Sequence, residues 1–571
     1  MPAQPSTCPD HTAKVNAPRH SRLEAAEKLV QFEEAVLRGL TQRAAAEEVG
    51  VPRTTLLNWK DRRQRLALPE PVAAFLETPA GLAWLRQLVM AAVFVLTLRG
   101  PEGIRVVCEF LELSGLADIV AASFGTIQKL TVEMLEQVAK FGAEQKVTLG
   151  KQMPAKDVTI CEDETFHPEP CLVSIEPTSG YALVETYVER RDTKTWNSEL
   201  TKGLEGLPVR VIQITSDEGA ALIRHTRDLC ANHSPDVFHP QYDLCKATAL
   251  SLARRVRTAE AGHQQAVKGH EGILADYKVY LGQKHGRGRP PDYRGRIEHA
   301  VQEVLVAADK VREALADQEA CRAAVAGISA DYHCFRLADG AVQSAETIRS
   351  LLETRFAVID EIAARTELSE KCIKKIDKAR RVVEKMVTTI AFVHAEISTR
   401  LSGLDVASEL REEVASRWVP GLYLERVAGR AGLADDRHTL QERAEKLLAP
   451  LRLPDHPLQR LNAADRDLIE AIARTCADMF QRSSSAVEGR NGQLSHFHHG
   501  LHKITPAKLA ALTVVHNFHI RRADGTTAAE RFFEVPHPDL FEHLVEQMPS
   551  LARPAKPRSN RPYRRNREAA A

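Results

Sequence analysis

No run in this chain is apolar for long enough to cross a membrane. The longest, Leu88 to Leu98, falls well short of the ~20 residues that a span needs, so it reads as a buried helix. The amino terminus lacks the apolar segment behind a basic start that marks a secretory leader. A cytoplasmic protein with no membrane partner is therefore expected. Cysteine pairs in C-x-x-C spacing are also missing. The ten cysteines are scattered through 571 residues, and a chain of that size needs no disulfide framework, so free and buried thiols are expected. Net charge is absent too: 77 Lys and Arg against 76 Asp and Glu leave +1, which by itself points to no partner. What is present is bulk, with 44% hydrophobic residues, enough for several domains with cores of their own.

Charge does gather locally. The tail from Arg553 to Glu568 holds seven Lys or Arg against one acid and is rich in proline. It cannot bury a core and is expected to be a disordered arm able to lie on phosphates. Gly282 to Arg296 is a second basic stretch, in which Arg-Gly-Arg-Pro at 287–290 resembles the centre of an AT-hook, although a solvated loop explains it as well. Near the amino terminus, Val36, Leu40, Ala44, Ala45 and Val49 suit two helices; Gly50 and Pro52 break the pattern, and Thr54 and Thr55 are placed to cap a further helix carrying Leu56, Leu57 and Trp59. Helix, tight turn and basic helix resemble a helix-turn-helix. That resemblance implies that Arg53, Thr54, Thr55 and Asn58 face base edges of double-stranded DNA while Lys60, Arg62 and Arg63 meet phosphates; an ordinary helical hairpin is the alternative.

From Asp157 the pattern changes. Residues 157–164, 171–177, 181–191 and 208–219 read as strands, a helix follows from Ala220 to about Asn232, and Val237-Phe238 reads as a last short strand. Two of these strands end on acids, Asp163 and Asp217. If the first and fourth are parallel neighbours, both carboxylates come to one rim of the sheet, where open α/β sheets place their sites. Paired carboxylates stay ionised when a cation lies between them, and hard oxygen donors suit Mg2+ or Mn2+. By strand alternation Glu162 and Glu164 point to the other face. A third acid, Glu488, shares a helical face with Asn491 and Ser495, with Arg490 close by.

The order of these elements resembles the ribonuclease H-like fold, and Asp163, Asp217 and Glu488 resemble the DDE triad of bacterial insertion-sequence transposases. The stretch "VEGRNGQLS" and the region running on to Phe533 are similar to the carboxyl-terminal part of such enzymes, and Asp236-Val-Phe-His239 resembles the D-x-x-H element of hAT-type and Mutator-type transposases. The Tyr-x-x-Arg-x-x-x-Glu-x6-Lys signature is absent, with Gln481 and Ser484 at its Tyr and Arg positions, so no hairpin mechanism is implied. The resemblance implies two divalent ions held by Asp163, Asp217 and Glu488, ~3.5–4 Å apart, and strand cleavage followed by strand transfer at element ends. His239, Arg490 and Asn491 are candidates for supporting the triad, with a core histidine the bland reading of His239. A homodimer or larger assembly on DNA is implied as well.

The second Asp and the Glu are 271 positions apart (488 − 217), and the stretch from about 244 to 470 is nearly all helical in pattern. Ile297, Val301, Val304, Ala308, Val311 and Leu315, then Ile373, Ile376, Val383, Val387 and Ile390, read as stripes of packed antiparallel helices that could also serve a dimer. Trp418 reads as core, or as a residue that stacks on an unpaired base. The expected plan is a helix-dominated chain: a disordered start (1–20), a helix-turn-helix (21–68), a helical linker (69–150), an α/β ribonuclease H-like core (151–243) interrupted by an all-α insertion (244–470), its carboxyl-terminal part with Glu488 (471–545), and a basic disordered tail (546–571). A transposase-derived DNA-binding protein without activity, or a nuclease without strand transfer, are the competing readings.

Overall fold

The first helices follow from their caps. In the computed structural model, which describes residues 20–64, 69–166, 169–286, 288–501 and 503–554, Ser21 and Glu24 form a capping box at the start of α1 (Arg22–Leu37), and the Thr41 hydroxyl caps α2 (Gln42–Val49). Gly50, at φ 71°, closes α2 in the left-handed conformation that glycine adopts without strain. α3 (Arg53–Gln64) follows at once. Thr54 and Thr55 therefore lie inside its first turn and are not caps; the Pro52 carbonyl accepts from Thr55 and Leu56 instead. Leu29, Phe32, Ala45, Val49 and Leu56 form a small buried core among the three helices.

Next come α4 (Glu70–Leu76), α5 (Pro79–Phe94), α6 (Ile104–Leu113) and α7 (Phe124–Gly150). A π-helical turn, Val95–Arg99, prolongs α5, making a 21-residue helix that is long and apolar enough to cross a membrane; half of its apolar window is buried within the protein. An uninterrupted apolar run is shorter than this helix, because Arg86 and Gln87 are built into it.

The sheet comprises β1 (Lys156–Phe166), β2 (Pro170–Glu176), β3 (Tyr181–Tyr187), β4 (Val209–Ser216) and β5 (Asn232–Pro235), with α8 (Thr193–Leu204) before β4 and α9 (Ala220–Asp228) after it. Its order is β3-β2-β1-β4-β5. β1 to β3 are antiparallel, and β4 and β5 run parallel to β1. The last strand lies at 232–235 and not at Val237-Phe238, which lead into the next helix. Asn-His-Ser-Pro has little β propensity; its backbone is extended because Asn232 to Pro235 pair with Gln213 to Ser216 of β4.

Long helices follow: α10 (Phe238–Leu281), α11 (Tyr293–Asp331), α12 (Ala345–Arg365), α13 (Glu370–Arg380), α14 (Val383–Ser402), α15 (Ser408–Glu413), α16 (Val419–Arg430), α17 (Ala434–Leu448) and α18 (Ala463–Met479). They share one core in which Ile328, Phe356, Ile376, Val387 and Ile390 are buried and against which Trp418 packs. The expected stripe on α11 is only partly covered: Val301 and Leu315 are exposed, and Ala300, Ala314 and Cys321 are the buried positions. The chain ends through α19 (Ser485–Leu501), α20 (Pro506–Phe518), α21 (Ala528–Phe533) and α22 (Leu540–Gln547).

By packing, the chain forms two units, one of residues 1–152 with 492–571 and one of 153–491. In the first, α7 buries Ile127, Met134, Val138 and Phe141, and Phe141 meets Phe518 of α20 edge-on at 5.7 Å. The division falls inside α19, between residues 491 and 492. Among the described residues the cysteines are free, five of them buried, with Cys230 and Cys245 exposed. The N-terminal 1–19, most of the basic tail and Arg287 of the AT-hook-like stretch lie outside the described residues.

Candidate active site

Register aligns the acids. In β1 and β4, Cys161 pairs with Thr215, so two residues on, Asp163 and Asp217 occupy one row. In β4 and β5, Ser216 pairs with Pro235, which extends that row to Asp236. In the other direction Asp163 pairs with Val173 and Val173 with Glu185. Four acids thus share one row across the sheet, at the carboxyl rim of β1, β4 and β5.

The segment between α18 and α19 crosses this same face. Thr159 Oγ1 and Gln213 Nε2 donate to the Met479 carbonyl at 2.8 and 3.2 Å, and Thr215 Oγ1 and Ser234 Oγ donate to that of Gln481 at 3.3 and 3.0 Å. Alternate side chains of three strands therefore hold residues 479–481 against the sheet. At the end of the segment, the buried Asp236 carboxylate accepts from the Ser484 amide at 3.2 Å and from its hydroxyl. That anchors the start of α19, whose first turn carries Glu488.

Two of the four row acids are thus accounted for. Asp236 holds Ser484, and Glu185 accepts two hydrogen bonds, at 2.7 and 2.6 Å, from Arg490, with both side chains buried. Arg490 ties α19 to β3. The neighbouring acids have other partners. Glu162 is fully buried on the opposite face beside His225, 3.4 Å away; Glu164 pairs with Arg191 at 2.7 Å; Glu218 pairs with Lys385. What remains is Asp163, Asp217 and Glu488. Among the described residues Asp163 Oδ1 accepts from the adjacent Glu164 amide and Asp217 Oδ1 from the Gly219 amide, each at 2.8 Å. A side chain at Gly219 would place its Cβ 2.8 Å from that Asp217 oxygen, so glycine is what lets the turn fold under the carboxylate.

Electrostatics mark the same group. Burial, reinforced by the charge of Asp217, raises the Asp163 carboxyl to about 6, while His239 pulls the other way. Burial also raises Glu488, with Asp236 adding to the shift and His239 opposing it. His239 is half-buried, in the first turn of α10. Asn491 Oδ1 is buried with no hydrogen-bond partner among the described residues.

Among the described residues no three His, Cys, Asp or Glu side chains converge as a metal-binding group. The donor set still fits a hard divalent cation: two carboxylates in one row, each with an oxygen to spare, one of them held at a raised pKa that a bound cation would relieve. Sequence reasoning missed Glu185 and Asp236 as the anchors of α19. Asp236 had a usable signal, a third acid at a strand end; Glu185 had none.

On α3, Arg53, Thr54 and Asn58 are exposed and Thr55 half-exposed. Lys60 lies 3.6 Å from Glu33 of α1. The Arg62 and Arg63 side chains lie outside the described residues.

Residues 414–560 match DUF6399, a family of unknown function. No curated protein matches the chain. The matched span includes Glu488 and Arg490 but neither Asp163 nor Asp217.

Proposed function

We propose that this protein is a DNA transposase that cleaves and joins strands at insertion-sequence ends by metal-dependent phosphoryl transfer. The observation that carries the reading is the single row of acids on the α19-facing side of the sheet, in which Glu185 and Asp236 are engaged by α19 while Asp163 and Asp217 keep a free oxygen. The strand order, with the first and fourth strands as parallel neighbours, supports a ribonuclease H-like core.

In this reading Asp163 and Asp217 hold Mg2+ or Mn2+, Glu488 joins them, and the bound ions would polarise the scissile phosphate and acidify water or a 3′-hydroxyl. The chain's own residues supply placement. Asp236 and Arg490 fix the start of α19, the helix that carries Glu488. A cation held by Asp163 and Asp217 would favour the ionised form of Asp163. Cleavage of DNA in Mg2+ and its loss in EDTA test the reading. Binding without cleavage favours a DNA-binding protein that has lost activity, and cleavage without joining favours a nuclease.

α2, the Gly50 turn and α3 support a helix-turn-helix, with Arg53, Thr54 and Asn58 presented to solvent for base and phosphate contacts. Lys60→Ala should weaken DNA binding and lower the slope of log affinity against log salt by about 1, the signature of one lost phosphate contact. Fluorescence anisotropy between 50 and 200 mM salt reads this out, and an unchanged slope removes Lys60 from the phosphate contacts. Self-association on DNA remains part of the proposal, and the exposed Leu305 and Val306 of α11 are candidate contacts for it.

A further inference from the structure

Within the second unit, the turn after α11, helices α16 and α17, and the end of α18 enclose a cavity of about 450 Å³, a volume in the range of small-molecule sites. Four guanidinium groups line it, those of Arg426, Arg430, Arg443 and Arg482, against two carboxylates, Asp436 and Asp478. Two positive charges are left over. Arg426 grips Asp478 through two hydrogen bonds of 2.6 and 3.1 Å. Arg482 donates to the Ser329 carbonyl at 2.6 Å and to His333 Nε2 at 2.9 Å. That contact requires Nε2 to be an acceptor, so the His333 proton sits on Nδ1 and points to Tyr423 Oη, 2.6 Å away. Burial, with Arg482 beside it, pushes His333 down to about 3, so this ring adds no charge.

Arg430 and Arg443 are different. Among the described residues Arg430 donates only to Gln481 Oε1, at 2.8 Å, and Arg443 only to the Leu337 carbonyl, at 3.0 Å. A guanidinium has five N–H donors in a fork suited to oxyanions, so most of the capacity of both remains available at the cavity wall. Val427, Leu440 and Phe480 make another part of that wall apolar. Surplus cations with unused donors beside an apolar surface match an anionic group carried on an apolar body.

We propose that this cavity binds a phosphate-bearing ligand of nucleotide size, with Arg430 and Arg443 donating to the phosphate and the base against Val427, Leu440 and Phe480. The cavity has a second consequence, which rests on the function proposed above. Its lining includes Gln481 and Arg482, in the segment whose carbonyls are held to the sheet and which leads into Glu488. Arg430 also grips the Gln481 side chain. A phosphate that draws Arg430 away from Gln481 loosens that segment, so occupancy is coupled to the placement of α19.

The phosphate can come from a free nucleotide or from a DNA strand, and the test separates them. The full-length protein, in EDTA so that the carboxylate rim holds no metal, is titrated with a fluorescent ADP analogue and, separately, with a 5′-phosphorylated single-stranded oligonucleotide. Arg430→Ala and Arg443→Ala should each weaken binding at least tenfold, with an unchanged melting curve, and Arg443→Lys should recover only part of it. Loss in the ADP titration identifies a free-nucleotide site; loss with the oligonucleotide alone identifies a strand-end site. Affinities for both probes that ignore Arg430 and Arg443 overturn the proposal. Binding is measured without cleavage, so an inactive protein that still binds ADP through these arginines would leave this site standing while the transposase reading falls.

Discussion

Asp163→Asn should lower Mg2+-dependent cleavage by roughly 10²–10³-fold or more, the scale of losing one group that stabilises charge in a transition state, while DNA binding through α3 is retained. The same substitution should stabilise the metal-free protein at neutral pH. Burial raises the Asp163 carboxyl from 3.8 to about 6. Between those values the folded state binds more protons than the unfolded one, so stability falls as pH rises through the window. Above it the ionised carboxylate costs on the order of 1–3 kcal/mol, at ~1.4 kcal/mol per pKa unit. Asparagine removes that cost. The variant should therefore be more stable than the parent at pH 7.5 and equal to it below about pH 4, where Asp163 is protonated in both states. Mg2+ should stabilise the parent more than the variant. Urea unfolding at both pH values reads this out, and a variant less stable than the parent at pH 7.5 would contradict the account of Asp163 as a strained, cation-seeking acid.

Arg490→Ala should cost about 3–5 kcal/mol, the range for removing one partner of a buried ion pair. Arg490 and Glu185 are 4% and 0% exposed and share two hydrogen bonds, so truncation leaves a buried carboxylate without its guanidinium. The pair also fixes α19 over the sheet. Cleavage should thus fall together with stability. Pairing Arg490→Met with Glu185→Gln should restore most of the stability, because the uncompensated charge is gone. Equilibrium unfolding of the single and double variants measures it. A loss below about 1 kcal/mol for Arg490→Ala would mean that water or another group already satisfies Glu185.

What could be read from the sequence was local. The apolar run before Asp163 and the one before Asp217 announce strands, and the period of two assigns Glu162 and Glu164 to the face away from Asp163; Glu162 lies there, fully buried beside His225. The helix pair around Gly50 was legible because glycine punctuates the chain where φ turns positive. What stayed hidden depends on partners far away in sequence. β5 is a strand only because β4 is beside it. Glu185 and Arg490 lie 305 positions apart, and Asp236 and Ser484 lie 248 apart. The stripe on α11 misled for a related reason: periodic apolar residues mark a face, but whether another element covers that face is decided by the rest of the chain.

The most direct test of the central claim is cleavage of labelled DNA from the genomic flanks of this protein's own gene, in Mg2+ and in EDTA, by the parent and by Asp217→Asn. The account predicts nicking that leaves a 3′-hydroxyl, needs the metal and disappears in the variant while binding persists. Equal cleavage by parent and variant would contradict the assignment of the acid row as the active site.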